Sequence, residues 1–325
     1  MRILFAGTPQ VAVGPLQALI QAGGKLEVVG VLTRPDAPQG RGRKLTPSPV
    51  KQAAIQAGLP VIEDKPTSPE FFRTLEDLHP DAAAVVAYGN LLKPEALDAL
   101  PLGWYNLHFS LLPQYRGAAP VQRAIWAGET ITGVTVFKIG PGLDDGPIVA
   151  QSTVEIGPHE TAGELLDRLS QDGAHLLCAV LQGIADGRLA FRPQPAGSFE
   201  MAAKIHPDDA RIRFAVPAFA ADRQIRACTP EPGAWCQLHT QEDSDKAAPI
   251  KLTIAQAHVD KSETAGKPAA GALKPGRLLV TKKHIWLGTL TDPLELDQVK
   301  AQGKKQMKAA DWARGARLSA KAYCD

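Results

Sequence analysis

The sequence predicts an α/β protein: a doubly wound, mostly parallel sheet of Rossmann-like layout, followed by a small OB-like β-barrel. Three observations carry this expectation. Over the first 190 residues, short apolar runs alternate with helical patterns, the rhythm of βαβ units. One run, Ala82 to Tyr88, is apolar without a break, as in a strand covered on both faces. Beyond residue 207 the pattern changes to short apolar or alternating runs between polar, Gly/Pro-rich turns, the spacing of a small barrel.

The elements follow in order. Arg2 to Phe5 reads as a first buried strand, too short for the apolar region of a signal peptide. Val11 to Ala22 has apolar residues at helical spacing and ends at Gly23-Gly24, a C-cap signal. Glu27 to Leu32 is a second strand. Helices at Ser68–Leu78 and Pro94–Leu100 flank the Ala82–Tyr88 strand. Gly103–Leu107 and Gly133–Phe137 read as strands, with a helix at Val121–Ala127 between them. A long helix from Thr161 to Ala185 is closed by Gly187. Phe191 to Ser198, with Pro193, Pro195 and Gly197, reads as a linker. In the second part a helix is expected at Pro217–Ala227, and strands at Trp235–Leu238, Ile250–Ala257, Gly276–Thr281 and His284–Leu287. The expected division is a catalytic domain at 1–190, a linker at 191–207 and a barrel at 208–325.

A chain of 325 residues suits two domains, and 44% apolar residues suffice for two cores. No apolar run approaches the roughly 20 residues of a membrane span. Cys178, Cys228, Cys236 and Cys324 form no CxxC pair, so neither a zinc site nor a redox motif is indicated. They read as reduced thiols of a cytoplasmic protein. Residues 1–207 hold 17 basic and 20 acidic side chains, and residues 208–325 hold 19 and 14. The excess leans the second domain toward a polyanionic partner, although a solvated lysine-rich surface fits the charge equally well.

Each motif has a plain structural reading beside a chemical one. Gly7-Thr8-Pro9 sits where a dinucleotide fingerprint would begin, but Pro9 occupies the second glycine position, which argues against a nicotinamide cofactor. Arg34 to Pro49 is long for a βα connection. Its Arg41, Gly42, Arg43 and Lys44 are either a solvent loop or a segment that orders on a phosphate backbone. Asn106 and His108 lie two apart at the end of a strand, so both project to one side, off the carboxyl edge where open α/β sheets bind ligands. An amide donor beside an imidazole suits a developing oxyanion. Ser110-Leu111-Leu112-Pro113, running on through Gln114-Tyr115-Arg116-Gly117-Ala118-Ala119-Pro120, reads as a binding loop whose backbone lines a pocket or as a plain connection into the next helix; the G-x-S-x-G elbow of a serine nucleophile is missing. Asp144, in Leu143-Asp144-Asp145-Gly146-Pro147, can orient an imidazole or simply make a turn, and no spaced ligand set points to a metal.

In order, these signals reinforce one another. NLHFSLLPQYRGAAPVQRAIWAG followed by GLDDGPI closely resembles the folate-dependent formyltransferases, and VVAYGNLL looks like their pocket strand and pterin loop. MRILFAGTP, RPDAPQGRGRKLTPSPVK, IRACTPEPGAW and GKKQMKAADWARG extend the resemblance over nearly the whole chain, to members that act on charged tRNA. The resemblance implies direct transfer from 10-formyltetrahydrofolate, with no metal, to the amine of methionine on initiator tRNA. It implies that Asn106 and His108 stabilise the oxyanion and that Asp144 orients His108. It places the folate against Tyr88, Asn90, Leu92 and Ser110–Pro113, and the tRNA against Arg41–Lys44 and the barrel of a monomer. Phe109 is bulkier than the small residue expected there and is expected to narrow the pocket; Asp145 adds a second charge to the turn. The competing readings are a formyltransferase for an amino sugar nucleotide or glycinamide ribonucleotide, and a non-catalytic RNA- or folate-binding protein.

Overall fold

A computed structural model of the chain describes residues 1–39, 42–241, 248–259, 264 and 266–325. The chain forms two compact units. The first comprises Met1–Pro120, Ile131–Glu155 and Leu166–Ala202; the second comprises Val121–Thr130, Ile156–Leu165 and Ala203–Asp325.

The first unit is built on β1 (Arg2–Gly7), α1 (Val13–Ala22), β2 (Glu27–Leu32), β3 (Ala37–Gln39), β4 (Lys44–Thr46), α2 (Pro49–Gln56), β5 (Val61–Ile62), α3 (Pro69–Leu78), β6 (Ala82–Val86), α4 (Pro94–Leu97), β7 (Gly103–His108) and β8 (Arg116–Gly117). After α5 (Pro120–Ala127) come β9 (Ile131–Lys138), β10 (Ile148–Glu155), α6 (Ala162–Ala185) and β11 (Met201–Ala202). Seven strands pair in the order β10-β9-β7-β6-β1-β2-β5. The five from β7 to β5 are parallel. The predicted parallel sheet therefore stands, and β9 and β10 extend it antiparallel.

Strand alternation divides the core into two layers. Leu4, Ala6, Ala83, Val85 and Trp104 face Phe71 and Leu75 of α3 and Ala96 of α4. On the opposite face Leu107 packs onto Gly173 of α6; a Cβ at residue 173 would come within 2.9 Å of the leucine. The helices begin where capping chemistry permits. Ser68 Oγ accepts from Phe71 N at 3.2 Å with Pro69 in the first turn, and Ser48 Oγ accepts from Lys51 N at 3.0 Å ahead of α2.

Two expectations change. The Ala82–Tyr88 strand stops at Val86 because Ala87 takes a left-handed conformation, φ +48°. The connection after β2 is not a plain loop: β3 and β4 pair as an antiparallel ribbon.

The second unit contains α7 (Ala218–Ala227), β12 (Trp235–His239), β13 (Ile250–Val259), β14 (Leu278–Val280), β15 (Ile285–Leu287), β16 (Leu294–Ala301), β17 (Met307–Lys308), α8 (Ala309–Ala316) and β18 (Tyr323–Cys324). Its strands run β14-β15-β16-β13-β12-β18, all antiparallel, with β17 added beside β16. A bridge between Arg277 and Tyr323 brings the two ends of this order together, and Cys324 N donates to Gly276 O at 2.7 Å. The expected barrel is thus nearly closed, which shields its sheet edges. Among the described residues no helix is long and apolar enough to cross a membrane.

Candidate active site

The site lies off the carboxyl ends of β6 and β7. A cavity of about 550 Å³ opens there, lined by the 87–92 segment, the end of β7 and the 139–144 turn. Asn106, His108 and Asp144 all face it, so the structure brings the three predicted catalytic residues together. Tyr88, Asn90 and Leu92 line it as well, and Phe109, the bulkier residue, also forms part of its wall.

His108 is 5% exposed and its ring is held at two edges. Nε2 is 2.9 Å from the Tyr115 carbonyl oxygen, which only accepts, so Nε2 carries a proton. Nδ1 faces Asp144 Oδ2 at 3.8 Å, an ion-pair distance too long for a direct hydrogen bond. In the neutral ring Nδ1 is therefore the unprotonated nitrogen. Burial pushes the imidazole pKa below its ordinary 6.5; the Asp144 charge and the Tyr115 carbonyl push it back up. Asp144 in turn is fixed by others. Its Oδ2 accepts from Gly117 N at 2.9 Å, while Gln194 Nε2 donates to the carbonyls of Asp144 and Gly146 at 2.8 Å each. Gln194 Oε1 accepts from Arg116 Nη2 at 2.6 Å.

Ala87, Tyr115 and Asp144 all take positive φ, from +48° to +60°. Such conformations cost about 1–3 kcal/mol apiece and gather where a site needs a backbone that ordinary turns do not supply. Gly89, at φ +84°, continues the turn that presents Asn90. The Asn90 side chain hydrogen-bonds the Tyr88 phenol, whose pKa burial raises. Thr8 Oγ1 donates to Tyr88 O at 2.9 Å, so the Gly7-Thr8-Pro9 turn supports the pocket from the first strand.

Ser110, Leu111, Leu112 and Pro113 do not line this cavity. Their polar groups turn to the sheet. Thr135 Oγ1 donates to Ser110 O at 2.7 Å and accepts from Leu112 N at 3.1 Å; Gln151 Nε2 donates to Leu112 O at 2.9 Å. The Ser110 hydroxyl donates to Gln114 O at 2.7 Å and is fully buried, which leaves it no nucleophilic role. Gly42, Arg43 and Lys44 are exposed at the turn and second strand of the β3–β4 ribbon, and Arg43 has φ +46°. Arg41 lies outside the described residues. Asp145 folds toward Gly140 and Gly142 within its own turn. Among the described residues no group of three or more histidines, cysteines and acids is placed to hold a metal ion.

Sequence reasoning missed Thr135 and Gln194. It placed Tyr115 and Gly117 in a binding loop that works through its backbone, without naming His108 and Asp144 as the partners of those backbone atoms. Gln194 sits in the stretch read as a linker and acts 50 residues away from Asp144.

The fold and pocket describe an α/β group-transfer enzyme carrying a second barrel domain. The formyl transferase profile matches residues 1–181, and that of the formyl transferase C-terminal domain matches residues 204–317. A relative from Bifidobacterium adolescentis, called methionyl-tRNA formyltransferase, is 60% identical over 325 residues and covers 100% of both chains. One of the same name from Mycobacterium avium is 50% identical over 319 residues, covering 98% of this chain and 97% of its own. The chain belongs to the formyl transferase family, among the methionyl-tRNA formyltransferases. An N-formyltransferase from Helicobacter canadensis, solved with folinic acid and dTDP-3-aminofucose, shares the fold with a TM-score of 0.61 at 17% identity, over 90% of this chain and 98% of that one.

Proposed function

We propose that this protein, as a cytoplasmic monomer, transfers the formyl group of 10-formyltetrahydrofolate to the free amine of methionine esterified to initiator tRNA. The observation that carries the chemistry is the state of His108 on the cavity wall: Nε2 is committed to Tyr115 O, and the unprotonated Nδ1 faces Asp144. The amine attacks the formyl carbon. Asn106 donates from its side-chain amide to the oxyanion that forms. His108 accepts the amine proton at Nδ1, and the resulting imidazolium is a second donor to the oxyanion. Asp144 stabilises that imidazolium as an ion pair across 3.8 Å. Tyr115 O, the direct hydrogen-bond partner, holds the ring's orientation. Collapse of the tetrahedral intermediate returns the proton to the leaving nitrogen and releases tetrahydrofolate.

Tyr88, Asn90 and Leu92 border the folate from the cavity wall, and Ser110–Pro113, outside that lining, act on the folate through the wall residue Phe109, from which they continue. Arg41–Lys44 and the barrel hold the acceptor arm through phosphates. The similarity to relatives named methionyl-tRNA formyltransferase supports this acceptor.

The test is a formylation assay that sets charged initiator tRNA against amino sugar nucleotides and glycinamide ribonucleotide. Charged tRNA is the expected acceptor; formylation of a small amine alone would overturn the reading. Asn106→Ala should lower kcat about 10²–10³-fold with unchanged tRNA affinity. Near-normal turnover in that variant would remove Asn106 from the mechanism.

A further inference from the structure

The β3–β4 ribbon has no apolar core of its own. Ala37, Pro38, Lys44 and Leu45 are exposed, Leu45 to 64%, and each strand has only three residues. An isolated two-stranded ribbon of this length is marginal in water. Something outside it must fix its direction, and the structure has two such fastenings at its base.

The first joins the two ends. Thr33, directly after β2, and Ser48, directly before α2, share a buried hydroxyl–hydroxyl hydrogen bond of 2.8 Å. That closes the base but leaves the ribbon free to swing. The second fastening sets the angle. Lys51 Nζ, on the first turn of α2, donates to Asp36 Oδ1 at 2.7 Å and to the Glu63 carboxylate at 2.9 and 3.0 Å. Asp36 immediately precedes β3, and Glu63 immediately follows β5, the edge strand of the main sheet. The ammonium thus ties the first strand of the ribbon to the sheet. The Lys51 side chain is only 17% exposed, and its two carboxylate partners hold its pKa above the ordinary value, so it stays charged. Without that charge Asp36 and Glu63 repel one another across the same gap.

We infer that Lys51 is a positioning residue for the acceptor: through Asp36 and Glu63 it aims the ribbon that presents Arg43 and Lys44 to the phosphate backbone of the acceptor nucleic acid. This rests on the proposed use of charged tRNA. Lys51 touches neither the cavity nor any group assigned to the chemistry, so its removal acts on acceptor binding and leaves the formyl donor and turnover alone. If freeing the ribbon leaves about a tenth of the molecules with it correctly aimed, the apparent acceptor affinity falls about tenfold.

The experiment compares wild type, Lys51→Met and Lys51→Arg in steady-state formylation of initiator methionyl-tRNA, with amide hydrogen exchange on residues 37–39 and 44–46. Lys51→Met is expected to raise the tRNA KM about tenfold, with kcat and the donor KM unchanged and faster exchange in the ribbon. Lys51→Arg, which keeps a donor-rich cation, should recover most of both effects. An unchanged tRNA KM in Lys51→Met, with or without faster exchange, overturns the inference, as does a loss confined to kcat or to the donor KM. If wild type itself does not formylate charged tRNA, the underlying functional reading has failed; a working wild type with an indifferent Lys51→Met isolates the failure to the positioning role.

Discussion

Replacing Thr135 by valine tests how the Ser110–Pro113 segment is held. Valine matches the threonine in shape and exchanges one hydroxyl for a methyl. Thr135 is fully buried on β9, and that hydroxyl makes three bonds: to Ser110 O at 2.7 Å, from Leu112 N at 3.1 Å and from Gln151 Nε2 at 3.0 Å. Gln151 keeps its bond to Leu112 O at 2.9 Å, so it is not orphaned. The Ser110 carbonyl and the Leu112 amide are, in residues 0% and 3% exposed. Each buried group left unpaired costs about 1–3 kcal/mol. The added methyl returns about 1 kcal/mol of burial. The expected loss is about 1–5 kcal/mol, read as a lower midpoint in a urea titration with unchanged slope. Thr135→Ser keeps the hydroxyl and should lose about 1 kcal/mol. In kinetics Thr135→Val should raise the donor KM and leave the tRNA KM unchanged, because the segment continues from Phe109 of the cavity wall and not from the ribbon. A valine variant no less stable than the serine one would refute the reasoning: the hydroxyl would then not be what holds the segment.

Three further outcomes follow from the geometry. The His108 imidazole should titrate below its ordinary 6.5 in an NMR titration of its ring protons, and lower still in Asp144→Asn, which removes the charge that partly restores it. Because the folded ring resists a proton that the unfolded chain accepts, this contribution to stability is present above 6.5 and is lost as pH falls toward the folded midpoint; a midpoint above 6.5 would contradict burial as the leading cause. Gly117→Ala should lower stability by about 1–3 kcal/mol and reduce kcat, since φ is +122° and a Cβ would stand 2.7 Å from Ala202 O; wild-type activity in that variant would separate the Gly117 amide from the support of Asp144. Lys44→Ala should weaken tRNA binding and reduce the slope of log affinity against log salt by about 1, and an unchanged slope would place Lys44 off the phosphate backbone.

Much of this was legible in the sequence wherever local periodicity decided the structure. The unbroken apolar run of β6 and the two-residue spacing of Asn106 and His108 needed nothing beyond their neighbours. The ribbon was not legible, because three-residue strands around a glycine-rich turn offer no period to count, and Pro38 argues against a strand. The edge strand β10 was weakly marked for a related reason: most of its residues are half-buried, so no clean alternation results. By contrast Leu294-Glu295-Leu296 at the start of β16 does alternate, and its two leucines are buried while Glu295 is only half-buried.

The chemistry of the site was legible only as residue types. Sequence pairs the imidazole with the carboxylate, the natural partners by charge. The structure gives the ring's hydrogen bond to a main-chain carbonyl instead and keeps the carboxylate at 3.8 Å. The difference decides what the site can do. A carboxylate accepting directly from the ring would hold a proton on the nitrogen facing it. A carbonyl on the far edge holds the proton there, and Nδ1, on the Asp144 side, keeps its lone pair until a proton arrives. Asp144, charged but not bonded to the ring, then favours the imidazolium after the amine has given up its proton. A neutral, buried base with a carboxylate held 3.8 Å away suits a reaction that starts from an amine and passes through an oxyanion, and the partners that set it up, Tyr115 O, Gly117 N and Gln194, act through contacts that residue types alone do not specify.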